Sequence, residues 1–253
     1  MMFQPPSWLP PIPKDLTTAS TVGEFSLRGI HGAAQDDPIT LVSAATQKTK
    51  TNRQLAEDVE ALAAGLAEDL GWSPNDATRG GRVIAILCEN SLDYVTYCWA
   101  THRLGAICLL LHASTVPAEN AQHIKHSKCN TLILSSTLLE PGRAVVAAVG
   151  EANLRVYLTQ SSPIGINHTS AETNGHHSPK TIDDLLTMGR AKGPLPVLDW
   201  SYEEAQSSIA YLCATSGTSG AQVIRSQSLS PSDVANLWVL IEAGATDPWR
   251  HHH

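Results

Sequence analysis

Six consecutive residues, Thr215, Ser216, Gly217, Thr218, Ser219 and Gly220, set hydroxyls and glycines directly after an apolar run that ends at Cys213. Glycine lets a main chain take positive φ and come close to a ligand. Successive backbone N–H groups in such a turn form a concave nest for anions, and the Ser and Thr hydroxyls add donors. The chemistry this suits is the binding of a polyphosphate.

Three other readings compete for the same residues. A Walker A loop needs G-x-x-x-x-G-K-[ST]. Here Gly217 and Gly220 are too close together, and no lysine follows. A nucleophile elbow, G-x-S-x-G, is one residue away from Gly217-Thr-Ser-Gly-Ala221, and Asp233 or Asp247 and then His251 follow in hydrolase order. Too little chain follows Ser219 to supply the strands that carry the acid and the base of that fold. A Ser/Gly linker is opposed by the apolar run in front of the loop.

Other chemistry-bearing groups invite plainer explanations. His168, His176 and His177 lie in a polar stretch with no Cys or carboxylate at zinc-like spacing, so they read as loop histidines. Asp183 and Asp184 read as the acidic first turn of a helix rather than an acid/base pair. His102 and Arg103 read as the basic last turn of another. His112 follows a buried strand and is a candidate for lining a cleft.

The bulk properties narrow the classes. A chain of 253 residues can bury a sizeable core, and its apolar and charged fractions are those of a globular protein. The net charge is -7 and Lys and Arg form no cluster, which argues against a nucleic-acid or anionic-membrane surface. Cys88, Cys98, Cys108, Cys129 and Cys213 make no C-x-x-C pair and sit mostly in apolar runs, so they read as buried free thiols. The start has no basic region followed by an apolar core, so no signal peptide is expected; no apolar run reaches about 18 residues, and no peroxisomal tripeptide is expected. These features lead to the expectation of a cytoplasmic protein without a membrane span, in which the sequon at Asn167 is a chance match.

The elements that must position the loop follow from periodicity. Phe25, Leu27 and Ile30 suggest a short helix, and Ile39, Leu41 and Val42 a strand followed by a turn at 47–50. Leu55, Val59, Leu62, Leu66 and Leu70 recur at steps of three and four and predict a helix over 52–70. Thr51 and Gln54 have capping-box spacing, and Gly71 stands where a C-terminal cap belongs. Residues 82–88 form a nearly continuous apolar run, as in a parallel strand buried on both faces. Asn90 or Ser91 is the expected cap of the next helix, which carries Leu92, Val95, Trp99 and Leu104 and stops at Gly105. Then come strand 106–111, a helix from Pro117 to His126, strand 131–134, helix 144–149, strand 156–158, helix 182–188 and strand 208–213. This alternation predicts an α/β fold, a doubly wound, mostly parallel sheet with flanking helices.

Taken together, these segments resemble the N-terminal part of the adenylate-forming enzymes: acyl-CoA synthetases, 4-coumarate–CoA ligases, luciferases and peptide-synthetase adenylation domains. Their phosphate loop reads [ST]-[ST]-G-[ST]-[ST]-G-x-P-K, and residues 215–221 follow it position by position. Residues 51–66 resemble the helix that opens the family's domain, and residues 81–91 its G-D-R-V-x-[IV]-x-x-x-N-S segment. Residues 100–107 resemble its A-x-x-x-x-G-A-[IV] segment, and 108–134 the stretch that ends in a K-[AC]-x-x-[IVL]-[IVL] strand. The start at Phe3-Gln-Pro-Pro-Ser-Trp8 and residues 103–106 look most like the 4-coumarate–CoA ligase branch.

The resemblance implies that ATP with Mg2+ activates a carboxylic acid to an acyl-adenylate, which CoA then takes up as a thioester. Thr215, Ser216, Gly217, Thr218, Ser219 and Gly220 would cradle the phosphates. The similarity stops after Ala221: Gln222, Val223 and Ile224 stand where the family has Pro-Lys-Gly, so Val223 replaces the motif lysine. The expected organisation is an extended arm over 1–20, a partial AMP-binding domain over 21–221 and a divergent tail over 222–253. The leading expectation is a shortened acyl-CoA-synthetase-like chain without adenylating activity of its own. The alternatives are a non-catalytic nucleotide- or partner-binding module and a small hydrolase using Ser219.

Overall fold

A computed structural model describes residues 21–28, 37–44, 46–76, 81–160, 179–214 and 224–227. The expected arm, the three histidines of the polar stretch and the six loop residues lie outside the described residues.

Strand β3 (Val83–Leu87) is buried at every position. Its side chains alternate between the faces of the sheet, so an unbroken apolar run must find a core on each side. Ile84 and Ile86 pack with Leu62, Leu66, Ala100, Leu104, Ile182 and Leu185 on one face. Val83, Ala85 and Leu87 pack with Ala121, Ile124, Val145 and Val146 on the other. Around β3 lie β4 (Ile107–Leu111), β5 (Thr131–Leu134), β6 (Arg155–Leu158) and β7 (Tyr211–Ala214), all parallel. Strand β8 (Ile224–Gln227) pairs antiparallel with β7, and the order across the sheet is β6-β5-β3-β4-β7-β8. The expected doubly wound α/β architecture is present, and β8, in the stretch expected to be a divergent tail, extends it. A separate antiparallel pair joins β1 (Ile39–Val42) and β2 (Thr49–Thr51).

The helices are α1 (Val22–Arg28), α2 (Asn52–Leu70), α3 (Tyr94–Arg103), α4 (Pro117–His126), α5 (Leu139–Val149), α6 (Ile182–Lys192) and α7 (Tyr202–Ser207). Helix α2 carries the expected reciprocal capping box between Thr51 and Gln54 and ends on Gly71 at φ 65°. Its apolar stripe is only part of what it buries. Ala61, Ala63, Ala64, Gly65 and Ala67 are buried too, because α6 crosses it closely. A Cβ on Gly65 would stand 2.0 Å from the Leu185 carbonyl oxygen.

Local expectations change in several places. Residues 49–51 extend into β2 rather than turning; Gln47 makes the turn at φ 57°, and Lys50 runs inward to Asp58 and Asp93 at 2.8 and 2.7 Å. Helix α3 starts at Tyr94 rather than after Asn90, because Ser91 is spent on a turn: its Oγ accepts from the Asp93 N–H and its carbonyl from the Tyr94 N–H. Strand β7, expected from residue 208, begins at Tyr211 because the Ser208 N–H closes α7 onto the Glu204 carbonyl. Helix α7 adds to the expected elements: Ser201 and Glu204 have capping-box spacing, and they form the box.

Candidate functional site

The connections out of β3 and β4 leave by opposite faces. Helix α3 returns on the face that holds Leu62 and Leu66, and α4 on the face that holds Val145 and Val146. Adjacent strands whose connections diverge in this way open a crevice beyond their carboxyl ends, where ligands of doubly wound sheets bind. Strand β7 lies next to β4 and parallel to it, so its carboxyl end opens on the same edge. Ala214 pairs with Ile224, and residues 215–223 connect them. The candidate residues Thr215, Ser216, Gly217, Thr218, Ser219 and Gly220 fall in that connection, outside the described residues.

The described rim of the crevice is polar. Beyond β3, the Glu89 carboxylate accepts the Thr137 hydroxyl at 2.6 and 2.7 Å. Partial desolvation works to raise the Glu89 carboxyl, but hydrogen bonds from Thr137 and Ser135 outweigh it and hold the group below its ordinary range. Glu89 is therefore an anion at neutral pH. Beyond β4, His112 is exposed; its Nδ1 accepts from the Ser114 N–H at 3.2 Å and lies 2.8 Å from the Ser114 hydroxyl. Asn120 donates to the His112 carbonyl at 3.3 Å and ties this turn to α4. His112 thus stands just beyond the carboxyl end of β4, the buried strand it was expected to follow.

The other candidates belong to the framework. Asp184 closes a capping box with Thr181 at the start of α6, and the Thr181 backbone N–H holds its carboxyl low. Arg103 reaches both Glu60 oxygens, at 2.8 and 3.1 Å, and donates to the carbonyls of Leu195 and Pro196. His102 is buried between α3 and β7. Burial pushes the Cys88 thiol up to about 12 and Cys129 up to about 11, so neither is a nucleophile at neutral pH. Among the described residues, no three His, Cys, Asp or Glu side chains stand together where they could hold a metal ion. No helix among them is long and apolar enough to cross a membrane.

The chain matches the model of the family described as "AMP-binding enzyme" over residues 31–222. It is 35% identical to the acyl-CoA ligase easD of Emericella nidulans over 237 residues, which cover 88% of this chain and 39% of that protein. It is 31% identical to the acyl-CoA ligase gloD of Glarea lozoyensis, over 87% of this chain and 38% of that one. Among solved structures it superposes on a natural red-emitting luciferase from Phrixothrix hirtus with a TM-score of 0.62 at 18% identity, covering 90% of this chain and 39% of the luciferase. The chain thus spans about two fifths of the length of the curated relatives it matches.

Proposed function

Because the chain belongs to the AMP-binding enzyme family, we propose that it carries the ATP-phosphate loop of an AMP-dependent acyl-CoA ligase-like protein, at Thr215, Ser216, Gly217, Thr218, Ser219 and Gly220. In the parent reaction a carboxylate attacks the α-phosphorus of ATP, pyrophosphate leaves, and the acyl-adenylate passes its acyl group to the thiol of CoA with release of AMP. The loop supplies fixed N–H and hydroxyl donors to oxygens on which charge builds up, and magnesium would share that load.

One observation carries this reading. Strand β7, which the six residues follow in the sequence, ends at Ala214 on the carboxyl edge of the sheet, next to β4 and the switch point between β3 and β4. That is where a doubly wound sheet presents a ligand site. The donor set suits phosphate, since six successive residues offer only hydroxyls and backbone N–H groups.

Val223 limits the chemistry. A lysine at that position would bring a point charge and a hydrogen-bond donor to the phosphates; an isopropyl group brings neither. The chain binds ATP weakly and does not adenylate a carboxylate by itself. The same residue favours a second reading, a nucleotide-binding module without catalysis.

Titration with ATP and Mg2+, run beside carboxylate-dependent ATP–pyrophosphate exchange, tests both parts. Saturable binding that is lost in Gly217→Val, with no exchange, is the expected result. Absence of binding overturns the loop assignment, and measurable exchange overturns the loss of catalysis.

A further inference from the structure

Helix α1 packs on α3 and stands off α2. A Cβ on Gly23 would stand 2.8 Å from Cβ and Cγ of Trp99, so α1 lies directly against that side chain. The far end of α1 is tied to the start of α2, where the Asn52 amide donates to the Leu27 carbonyl at 2.9 Å. Its near end is fixed by a reciprocal pair: the Thr21 N–H donates to Glu24 Oε2 and the Glu24 N–H to the Thr21 hydroxyl, both at 3.2 Å. Held at these points, the helix does not close on α2 between them. A cavity of about 270 Å3 remains among α1, α2 and α3, about nine waters' worth of space at about 30 Å3 each.

The lining combines apolar walls with an unbalanced charge. Leu27, Ala56, Val59 and the Trp99 indole supply the walls. The charged groups are Glu24, Glu60 and Arg103. Glu60 and Arg103 neutralise each other, and the guanidinium is spent on both Glu60 oxygens and on the carbonyls of Leu195 and Pro196. Glu24 has no such partner: its Oε2 meets the Thr21 N–H, and no Lys, Arg or His among the described residues pairs with it. The lining is left with the negative charge of Glu24 beside an indole. An anion would meet two carboxylates and a guanidinium whose donors are engaged. A neutral apolar body would leave Glu24 unanswered as it displaced water. A cation with an apolar body answers both demands, since the indole quadrupole also attracts positive charge.

We propose that this cavity binds an organic monocation with a compact apolar body, an alkyl- or arylammonium. The hydrocarbon part packs on Leu27, Val59 and Trp99, and the ammonium donates to Glu24 Oε1. The site is built from α1, α2 and α3 alone, so it stands whether or not residues 215–220 hold phosphate.

The test titrates the full chain with benzylammonium, benzyl alcohol and benzoate, probes of similar shape and different charge. Indole N–H signals are followed by NMR, and that of Trp99 is identified by its loss in Trp99→Phe. Benzylammonium is expected to bind saturably, to move the Trp99 signal, and to bind at least about tenfold more tightly than benzyl alcohol, with benzoate weakest. Glu24→Gln keeps an oxygen for the Thr21 N–H, so α1 and the unfolding midpoint should hold. In that variant benzylammonium binding is expected to weaken at least about fivefold, while benzyl alcohol binding changes less than about twofold. Absence of binding, binding that leaves the Trp99 signal unmoved, or equal affinity for benzyl alcohol and benzylammonium overturns the proposal on the unsubstituted chain, whether or not the variant folds. Unchanged benzylammonium binding in Glu24→Gln, or equal weakening of both probes, would show that the charge of Glu24 does not hold the ligand and overturns it as well.

Discussion

A Cβ on Gly189 of α6 would stand 1.7 Å from the carbonyl oxygen of Ala61 on α2, so these two helices touch backbone to backbone. Gly65 meets the Leu185 carbonyl in the same seam. Neither backbone can yield without moving a helix that packs on the sheet. Gly189→Val and Gly65→Val are each expected to cost about 3 kcal/mol or more, read as a lower urea midpoint.

Arg103 clamps the connection that follows α6. Its guanidinium joins Glu60 to the carbonyls of Leu195 and Pro196, and the Leu195 N–H returns a bond to Glu60 at 2.7 Å. Arg103→Met takes this donor from the Leu195 and Pro196 carbonyls and leaves Glu60 with only the Leu195 N–H, and is expected to cost about 2–3 kcal/mol, measured by denaturant unfolding. Arg103→Lys should recover less than half of that, since an ammonium cannot reproduce the planar fork.

His102 makes stability depend on pH. Burial lowers its pKa from the ordinary 6.5 to about 4, against a smaller opposing pull from the Ala210 carbonyl. Between these values the unfolded chain binds the proton and the folded chain does not. Stability is therefore full above about pH 6.5 and falls as pH drops toward 4, by about 3 kcal/mol. Unfolding midpoints across this range should show that slope, and His102→Gln should remove it.

Asp69, near the end of α2, gathers the Tyr157 hydroxyl at 2.5 Å, Arg155 at 3.1 Å and the Lys180 ammonium. Burial would raise its carboxyl, but the bonds from Lys180 and Tyr157 prevail and hold it below the ordinary range. Its contribution is present above the normal carboxylate pKa and is lost as pH falls below it. Asp69→Asn is expected to cost about 2 kcal/mol at pH 7 and to raise amide exchange first in β6, where Arg155 and Tyr157 lie.

Val223 offers a gain-of-function test. Gln222→Pro with Val223→Lys restores the family pattern after the loop, and a charge-assisted bond to phosphate is expected to tighten ATP binding about tenfold in titration. No change would mean that the lysine position is not near the phosphates in this chain.

Much of the fold is legible along the chain because the signals are local. Residues 82–88 are apolar without a break, which only a strand with a core on each face explains, and that is what β3 is. The caps of α2 at Thr51 and Gly71 are properties of residues within one turn of the helix ends. The capping box at Ser201 was equally local and would have revealed α7. The loop over 215–220 stood out because its residue types are chemically unusual after an apolar run, and the structure describes the strand ends on either side of it.

The sequence by itself determined most of the strands and helices, though not β2, α7 or β8, together with the family to which they point and the break from its pattern at Gln222. Only the tertiary structure decided what those segments touch. The α2–α6 seam is written in alanine and glycine, whose small side chains leave no apolar stripe to read. His102 looked like the basic end of a helix, yet its partner at Ala210 lies 108 residues away along the chain. Periodicity reports a residue's neighbours within a few turns; a buried imidazole or a bare helix seam acquires its role from groups that folding brings together across the whole sheet.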